Sequence, residues 1–111
     1  MAFVATATPS LAKAFYGETL GLRLIGEDPY ALVFDANGTM LRVQCVSAVT
    51  PAPYTVLGWQ VADIAATVDA LREAGVCFDR HEGMTQDDRG IWSSPSGARV
   101  AWFKDPAGNT L

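Results

Sequence analysis

Hydrophobic residues recur at helical spacing in two separate segments of the chain. In the first segment, Leu11 and Phe15 fall on one helical face. Thr8 can cap this helix, and Pro9 suits the first helical position, where its missing N–H is not needed. Gly21 is a natural stop, because glycine readily adopts the left-handed conformation that ends helices. The pattern therefore predicts a helix between Thr8 and Gly21.

The second segment repeats this arrangement. Asp63 can cap a helix on which Ile64, Val68 and Leu71 share one face. Gly75 ends it.

Short apolar and β-branched runs surround both helices and predict strands. They are Ala2–Thr6, Leu22–Ile25, Ala31–Phe34 and Thr39–Val46 in the first half, and Val56–Val61, Val76–Phe78, Ala101–Lys104 and Thr110–Leu111 in the second. The turns Asp35–Gly38 and Asp105–Asn109 join the last two strands of each half. The second half also carries extra residues around His81 to Ser96.

Both halves thus read strand–helix–strand–strand–strand, which indicates a duplication. We predict an α+β fold in one domain, built from two tandem modules at residues 1–46 and 56–111, with residues 47–55 as linker. Each mixed sheet is covered by helices on one face only. Two such modules can curve into an open cup with the helices outside, and a cup of this kind suits small ligands.

Alternation along the strands predicts which side chains face the cup. Arg42 and Gln44 alternate with Leu41 and Val43, which suit the core. In the second half, Gln60 and Trp102 take the cup face, and Phe34 is the first-half equivalent of Trp102. Trp92, in the extra residues, can cover the cup. The predicted ligand-binding residues are Phe34, Arg42, Gln44, Gln60, Trp92 and Trp102.

Composition narrows the class of protein. The chain has 111 residues, 50% of them hydrophobic, and a net charge of -4. This charge argues against a general nucleic-acid binder, which needs a basic face. No apolar run could span a membrane, and Met1–Pro9 does not resemble a signal peptide. Two cysteines, expected to be reduced and buried, fit a cytoplasmic protein.

Few side chains in the sequence suggest a catalytic, metal-binding or ligand-binding role. His81 is the only histidine and lies in a polar stretch, so we expect a solvated loop residue rather than a ligand or an acid–base group. Arg42 has two open interpretations: a structural role, or a fork that binds a carboxylate, phosphate or ring of a ligand. No phosphate-binding glycine loop or nucleophile elbow is present.

Two motifs carry a family resemblance. The run Phe15-Tyr16-x-x-x-Leu20-Gly21-Leu22 and the turn Asp105-Pro106-Ala107-Gly108-Asn109, with the duplicated plan, resemble the vicinal oxygen chelate superfamily. That group includes glyoxalase I, extradiol dioxygenases and bleomycin resistance proteins. The resemblance covers essentially the whole chain.

The resemblance also implies where metal ligands would lie. Metal-dependent members use His, Gln and Glu at four strand positions. These positions fall near Met1–Phe3, at Arg42, at Val56 and one step beyond Leu111, and none of the residues present is a suitable donor. A fixed guanidinium beside a divalent cation repels it. We therefore predict no metal or other cofactor.

The function expected from these observations is metal-free binding of a small, aromatic or amphipathic molecule by a homodimer. A first alternative is a metal-dependent lyase or isomerase of the glyoxalase kind with unconventional ligands, such as His81, Glu82 or Asp88. A second alternative is a dimeric interaction or regulatory module. Neither nucleic acid nor a membrane is an expected partner.

Overall fold

A mixed four-stranded sheet forms the first half of the protein. The computed structural model describes all residues, 1–111. The strands are β1 (Ala2–Thr6), β2 (Arg23–Glu27), β3 (Ala31–Ala36) and β4 (Thr39–Cys45). Their order across the sheet is β1-β4-β3-β2, with β1 parallel to β4 and the other pairs antiparallel. The strands predicted in this half are confirmed to within a few residues.

The first helix, α1 (Pro9–Ala14), continues as a π-helical turn, Phe15–Thr19. Gly21 ends the segment at a φ of 73°, as its position predicts. The predicted side-chain cap is wrong: the Thr8 hydroxyl makes no capping hydrogen bond. Instead, the backbone N–H of Thr8 donates to the Thr6 hydroxyl at 3.1 Å.

The β3–β4 hairpin has the turn that its sequence favours. Asn37 and Gly38 both have positive φ, 54° and 95°, the combination of a type I′ turn, whose twist matches that of the strands. The Asp35 carboxylate accepts a hydrogen bond from the Gly38 N–H at 2.8 Å. This turn sets the register that pairs Phe34 with Leu41.

The second half has fewer regular strands. Helix α2 (Ile64–Glu73) begins where predicted, and the Asp63 carboxylate caps it by accepting from the Ala66 N–H at 3.0 Å. Strands β5 (Trp92–Ser93) and β6 (Arg99–Val100) form a short hairpin. The remaining pairs are isolated: Thr55 with Thr110, Phe78 with Phe103, Lys104 with Thr110, and Gln86 with Trp92.

All four strands predicted in the second half are therefore reduced, and Ala101–Lys104 and Thr110–Leu111 retain only the isolated bridges at Phe103, Lys104 and Thr110. Val56–Val61 forms no ladder: the Val56 N–H donates to the Thr110 carbonyl, and beyond that point the segment has no neighbouring strand within the chain. Val76–Phe78 retains only the bridge at Phe78. Cys77 lies between two core-facing residues and points outward, so the prediction that it is buried is wrong. Both cysteines are free.

One hydrophobic core joins the two halves. It contains Val4, Ala12, Tyr16, Leu32, Phe34, Leu41, Val43, Val76, Phe103 and Leu111. Phe103 exchanges two backbone hydrogen bonds with Leu111, which confirms the predicted alignment of the second hairpin. The α+β class and the open mixed sheet are confirmed, while the module boundaries stay a prediction. Neither helix has the length and apolar character needed to cross a membrane.

Candidate functional site

Arg42 lies half-buried on the open face of the first sheet and has no ion pair or hydrogen bond. Its neighbours across the ladder are Phe3 on β1 and Val33 on β3. Because directly paired residues share a face, Phe3 and Val33 flank the guanidinium stem. Gln44, two residues along, is exposed on the same face. The prediction that Arg42 and Gln44 lie on the face of the sheet away from the helices is thus confirmed.

Phe34 does not face the cup. Its side chain is fully buried, and its ring centroid lies 5.9 Å from that of Tyr16 on the helix side. The reason is the hairpin register: Phe34 pairs with Leu41, a core residue, and paired residues must share a face. The prediction that Phe34 faces the cup is therefore wrong. Val33 and Asp35 occupy the open face of this strand instead.

Three aromatic rings come together in the second half. The His81 ring centroid lies 5.0 Å from that of Trp102, edge to face at 86°. The Trp92 ring lies 6.1 Å from Trp102, tilted by 35°. The Trp102 indole N–H donates to the Thr55 hydroxyl at 3.1 Å, which fixes its orientation. We call His81, Trp92 and Trp102 the aromatic cluster.

A groove of about 440 Å³ runs between the aromatic cluster and the linker. Its walls include Tyr54 and Thr55 on one side, and His81, Met84 and Trp102 on the other. Its volume is within the range of small-molecule sites, roughly 300–1,000 Å³. The groove is thus large enough for a ligand of one or two rings.

Lys104 also lines this groove, but its charge is already paired. Its ammonium lies 2.6 Å from the half-buried Asp79 carboxylate. Lys104 shares a face with Trp102, two residues earlier, because alternate strand residues point the same way. The groove therefore has no unpaired lysine to attract an anion.

His81 is not the solvated loop residue that its polar neighbours suggested. Its Nε2 atom is buried and has no hydrogen-bond partner. The correction has a local cause in Gln86. The Gln86 amide accepts from the His81 backbone N–H at 2.7 Å and donates to the carbonyls of Asp79 and Gly90 at 2.9 and 2.8 Å. These bonds hold the loop against the body of the protein.

The far end of this loop is held by two further carboxylates. Asp87 accepts from the backbone N–H groups of Arg89 and Ile91, each at 2.9 Å, and these bonds lower its pKa, that from Ile91 most. The Arg89 guanidinium forms a two-point pair with Asp69 on α2, at 2.8 and 3.1 Å. We did not predict roles for Gln86, Asp87 or Arg89 from the sequence. The loop-initiating Asp-x-x-Gly pattern, Asp87 to Gly90, is the signal that was present.

The predicted ligand-binding residues do not form one site within the chain. Trp92 and Trp102 meet in the second half, whereas Arg42 and Gln44 lie on the first sheet. The walls of the groove include Trp102 but none of Arg42, Gln44 or Gln60, and Gln60 is exposed. Whether these residues bind a ligand stays a prediction.

The residues at the positions implied for a metal do not fit one. Phe3 and Arg42 lie opposite each other in the ladder, so a phenyl ring and a cation occupy two of these positions, and Val56 occupies a third. No three His, Cys, Asp or Glu side chains are grouped so that they could hold a metal ion.

Comparisons with known proteins agree on the fold. A family model described as the glyoxalase/bleomycin resistance protein/dioxygenase superfamily matches residues 2–111. No curated protein matches the chain.

Solved structures of similar shape cover nearly the whole chain. A bleomycin resistance determinant encoded on the transposon Tn5 is 18% identical, with a TM-score of 0.78 over 99% of this chain and 90% of that one. A superfamily member from Sphaerobacter thermophilus DSM 20745 is 25% identical, with a TM-score of 0.75 over 98% and 89%. Lactoylglutathione lyase from Agrobacterium tumefaciens is 16% identical, with a TM-score of 0.72 over 99% and 88%. With the family model matching almost every residue, the chain belongs to the glyoxalase/bleomycin resistance protein/dioxygenase superfamily.

Proposed function

We propose that this protein binds a small, flat aromatic or amphipathic molecule without a metal, in the groove beside the aromatic cluster. The observation that carries the proposal is the position of Trp102, whose ring lies against both His81 and Trp92 and lines the groove. Indole rings offer large apolar surfaces that stack on flat ligands. The mechanism is sequestration: the protein lowers the free concentration of the ligand without changing it chemically.

The residues at the positions implied for metal ligands support ligand binding rather than metal-assisted catalysis. A glyoxalase-like lyase needs several oxygen or nitrogen donors around one ion, and three of the positions that the resemblance implies for ligands hold Phe3, Arg42 and Val56 instead. His81 is beside Trp102, and no group of acidic or imidazole side chains that could hold an ion includes it.

We propose also that the protein acts as a cytoplasmic homodimer. The open face of the first sheet carries Phe3 and Met40, which are 52% and 41% exposed in the single chain. Arg42 neighbours both on that face, Phe3 across the ladder and Met40 along its own strand, and has no partner within the chain. A second copy that covers this face would remove apolar surface from water and give Arg42 a ligand or a partner to contact.

The proposal is tested by melting-temperature shifts and titration calorimetry with a panel of flat aromatic molecules, on protein treated with a chelator and on protein dialysed against Mn, Fe, Ni and Zn. We expect saturable binding that is independent of metal. Trp102→Ala should lower affinity at least tenfold, about 1.4 kcal/mol, because the stacking surface is lost. Tyr30→Ala, an exposed aromatic residue outside the groove, is the matched control and should bind like the wild type.

Two results would contradict the proposal. One is near-stoichiometric retention of a metal together with binding that requires it, which would restore the lyase alternative. The other is equal affinity of the wild type and Trp102→Ala, which would move the site away from the aromatic cluster.

A further inference from the structure

We propose that His81 determines the specificity of this groove, and that it selects fused bicyclic heteroaromatic molecules with a hydrogen-bonding group on the ring edge over plain aromatic hydrocarbons. The inference rests on the proposed function and deepens it. It starts from one atom, the buried Nε2 of His81, which has no partner within the chain.

A buried imidazole nitrogen without a hydrogen bond is costly, because it has lost water and gained nothing in return. Such an atom either is satisfied by a bound molecule or weakens the fold. His81 is only half-buried as a residue and lines the groove, so a ligand in the groove can approach its ring.

The polar groups around His81 are already occupied. The indole N–H of Trp102 donates to Thr55, and the ammonium of Lys104 pairs with Asp79. The Gln86 amide uses its oxygen on the His81 backbone and its nitrogen on two carbonyls. None of these groups lies within hydrogen-bond distance of Nε2. Nε2 is closed to solvent in the free protein, so a ligand in the groove reaches this unmet hydrogen bond when the His81 ring turns toward it.

The walls of the groove define the rest of the ligand. Trp102, Tyr54 and Met84 present aromatic and thioether surfaces, which favour a flat ring system. The one lysine in the wall is neutralised by Asp79, so a net charge on the ligand is not required. A flat bicyclic ring with one polar edge atom matches a groove whose one buried, unpaired polar atom is His81 Nε2.

Three probes separate these features: naphthalene, indole and quinoline. They share a flat fused-ring shape, but indole carries an N–H donor, quinoline a ring-nitrogen acceptor, and naphthalene neither. Neutral imidazole Nε2 is an acceptor in one tautomer and a donor in the other. Either indole or quinoline should thus satisfy it, and naphthalene should not.

The chain has one histidine, so its ring can be observed without assignment ambiguity. We would label histidine with ¹⁵N and titrate each probe by NMR. The preferred heteroaromatic probe should shift the His81 Nε2 resonance saturably and bind at least tenfold more tightly than naphthalene, about 1.4 kcal/mol. In His81→Phe, which keeps an aromatic ring against Trp102, this preference should fall below about twofold while naphthalene binding persists.

A measurement without ligand checks that the variant is folded. His81→Phe removes the unsatisfied atom while keeping a ring, so its urea midpoint should equal or exceed that of the wild type. A lower midpoint in His81→Phe with the wild-type preference for the heteroaromatic probe would overturn the inference.

The outcomes also separate this inference from the proposed function. Equal affinity of the wild type for all three probes would overturn the role of His81 and leave metal-free aromatic binding intact. A preference that survives in His81→Phe would do the same. No binding of any probe at millimolar concentration would overturn both.

Discussion

Asp105 connects the two sequence motifs on which the family resemblance rests. Its carboxylate is buried, and one oxygen accepts from the backbone N–H groups of Ala107 and Asn109 at 3.0 and 2.9 Å. The other oxygen accepts from the Tyr16 hydroxyl at 2.6 Å and the Asn109 amide at 2.9 Å. The Asn109 amide also donates to the Ala5 carbonyl at 2.8 Å. This motif pair is therefore structural, because it closes a turn and joins the halves.

Tyr16 should make stability depend on pH in the alkaline range. Burial first, and then the hydrogen bond to Asp105, raise the pKa of Tyr16 far above its ordinary value. The folded protein keeps this proton, whereas the unfolded tyrosine loses it near pH 10. The stabilisation is thus complete below that pH and is lost as the pH rises further. We expect a contribution of about −1.4 kcal/mol per pH unit to the free energy of unfolding.

The measurement is urea unfolding at several pH values from neutral to alkaline. Tyr16→Phe should lack this contribution and should lose about 1–3 kcal/mol at neutral pH, because Asp105 loses a donor. Tyr30→Phe, at an exposed site, serves as control and should follow the wild type. Parallel pH curves for the wild type and Tyr16→Phe would contradict the assignment.

The two helices of the duplicated pattern begin in different ways. Asp63 caps α2 with its side chain, whereas Thr8 precedes α1 without a side-chain hydrogen bond. Sequence alone predicts both caps, since Thr and Asp are each good capping residues. The two caps differ in the folded protein, because the backbone N–H of Thr8 donates a hydrogen bond to the Thr6 hydroxyl at the end of β1.

This difference gives a matched test at the scale of the helices. Asp63→Ala should lower the free energy of unfolding by about 1 kcal/mol, the usual value of an N-cap, while Thr8→Ala should change it by less than about 0.5 kcal/mol. Chemical denaturation of both variants checks the prediction. Equal losses would show that the Thr8 side chain contributes to α1 after all.

The whole molecule is longer than a compact domain of its size. Its principal extents are 43 × 27 × 25 Å, and its radius of gyration is 14.3 Å. A compact chain of this length would have a radius of about 13 Å. The elongation leaves the open face of the first sheet uncovered, together with Phe3 and Met40. This shape supports the proposed homodimer.

We expect light scattering to give twice the chain mass of 11.8 kDa for the wild type. Phe3→Lys, which places a second cation beside Arg42 on the open face, should shift the protein to the monomer mass, because burying an unpaired ammonium in an interface is costly. Leu11→Lys, at an equally exposed apolar position on α1, is the control and should remain dimeric. A wild-type monomer, or a dimer unaffected by Phe3→Lys, would contradict this interface.

The sequence by itself determined the local elements of this protein. Strand β1, the Asp63 cap and the Asn37–Gly38 turn follow from residue periods and backbone preferences, which act over a few neighbouring residues. The face of Arg42 was likewise predictable from alternation.

Only the tertiary structure decided the facts that depend on distant partners. Tyr16, on the π-helical turn, packs against one face of the first sheet and covers Phe34 there. His81 lies against Trp102, a residue much later in the chain. Arg89, at the far end of the loop, pairs with Asp69 on α2. Such contacts join residues far apart in the chain, so no local pattern records them. The candidate site is formed by these long-range contacts. The sequence therefore predicts aromatic residues in the site but not how they are arranged.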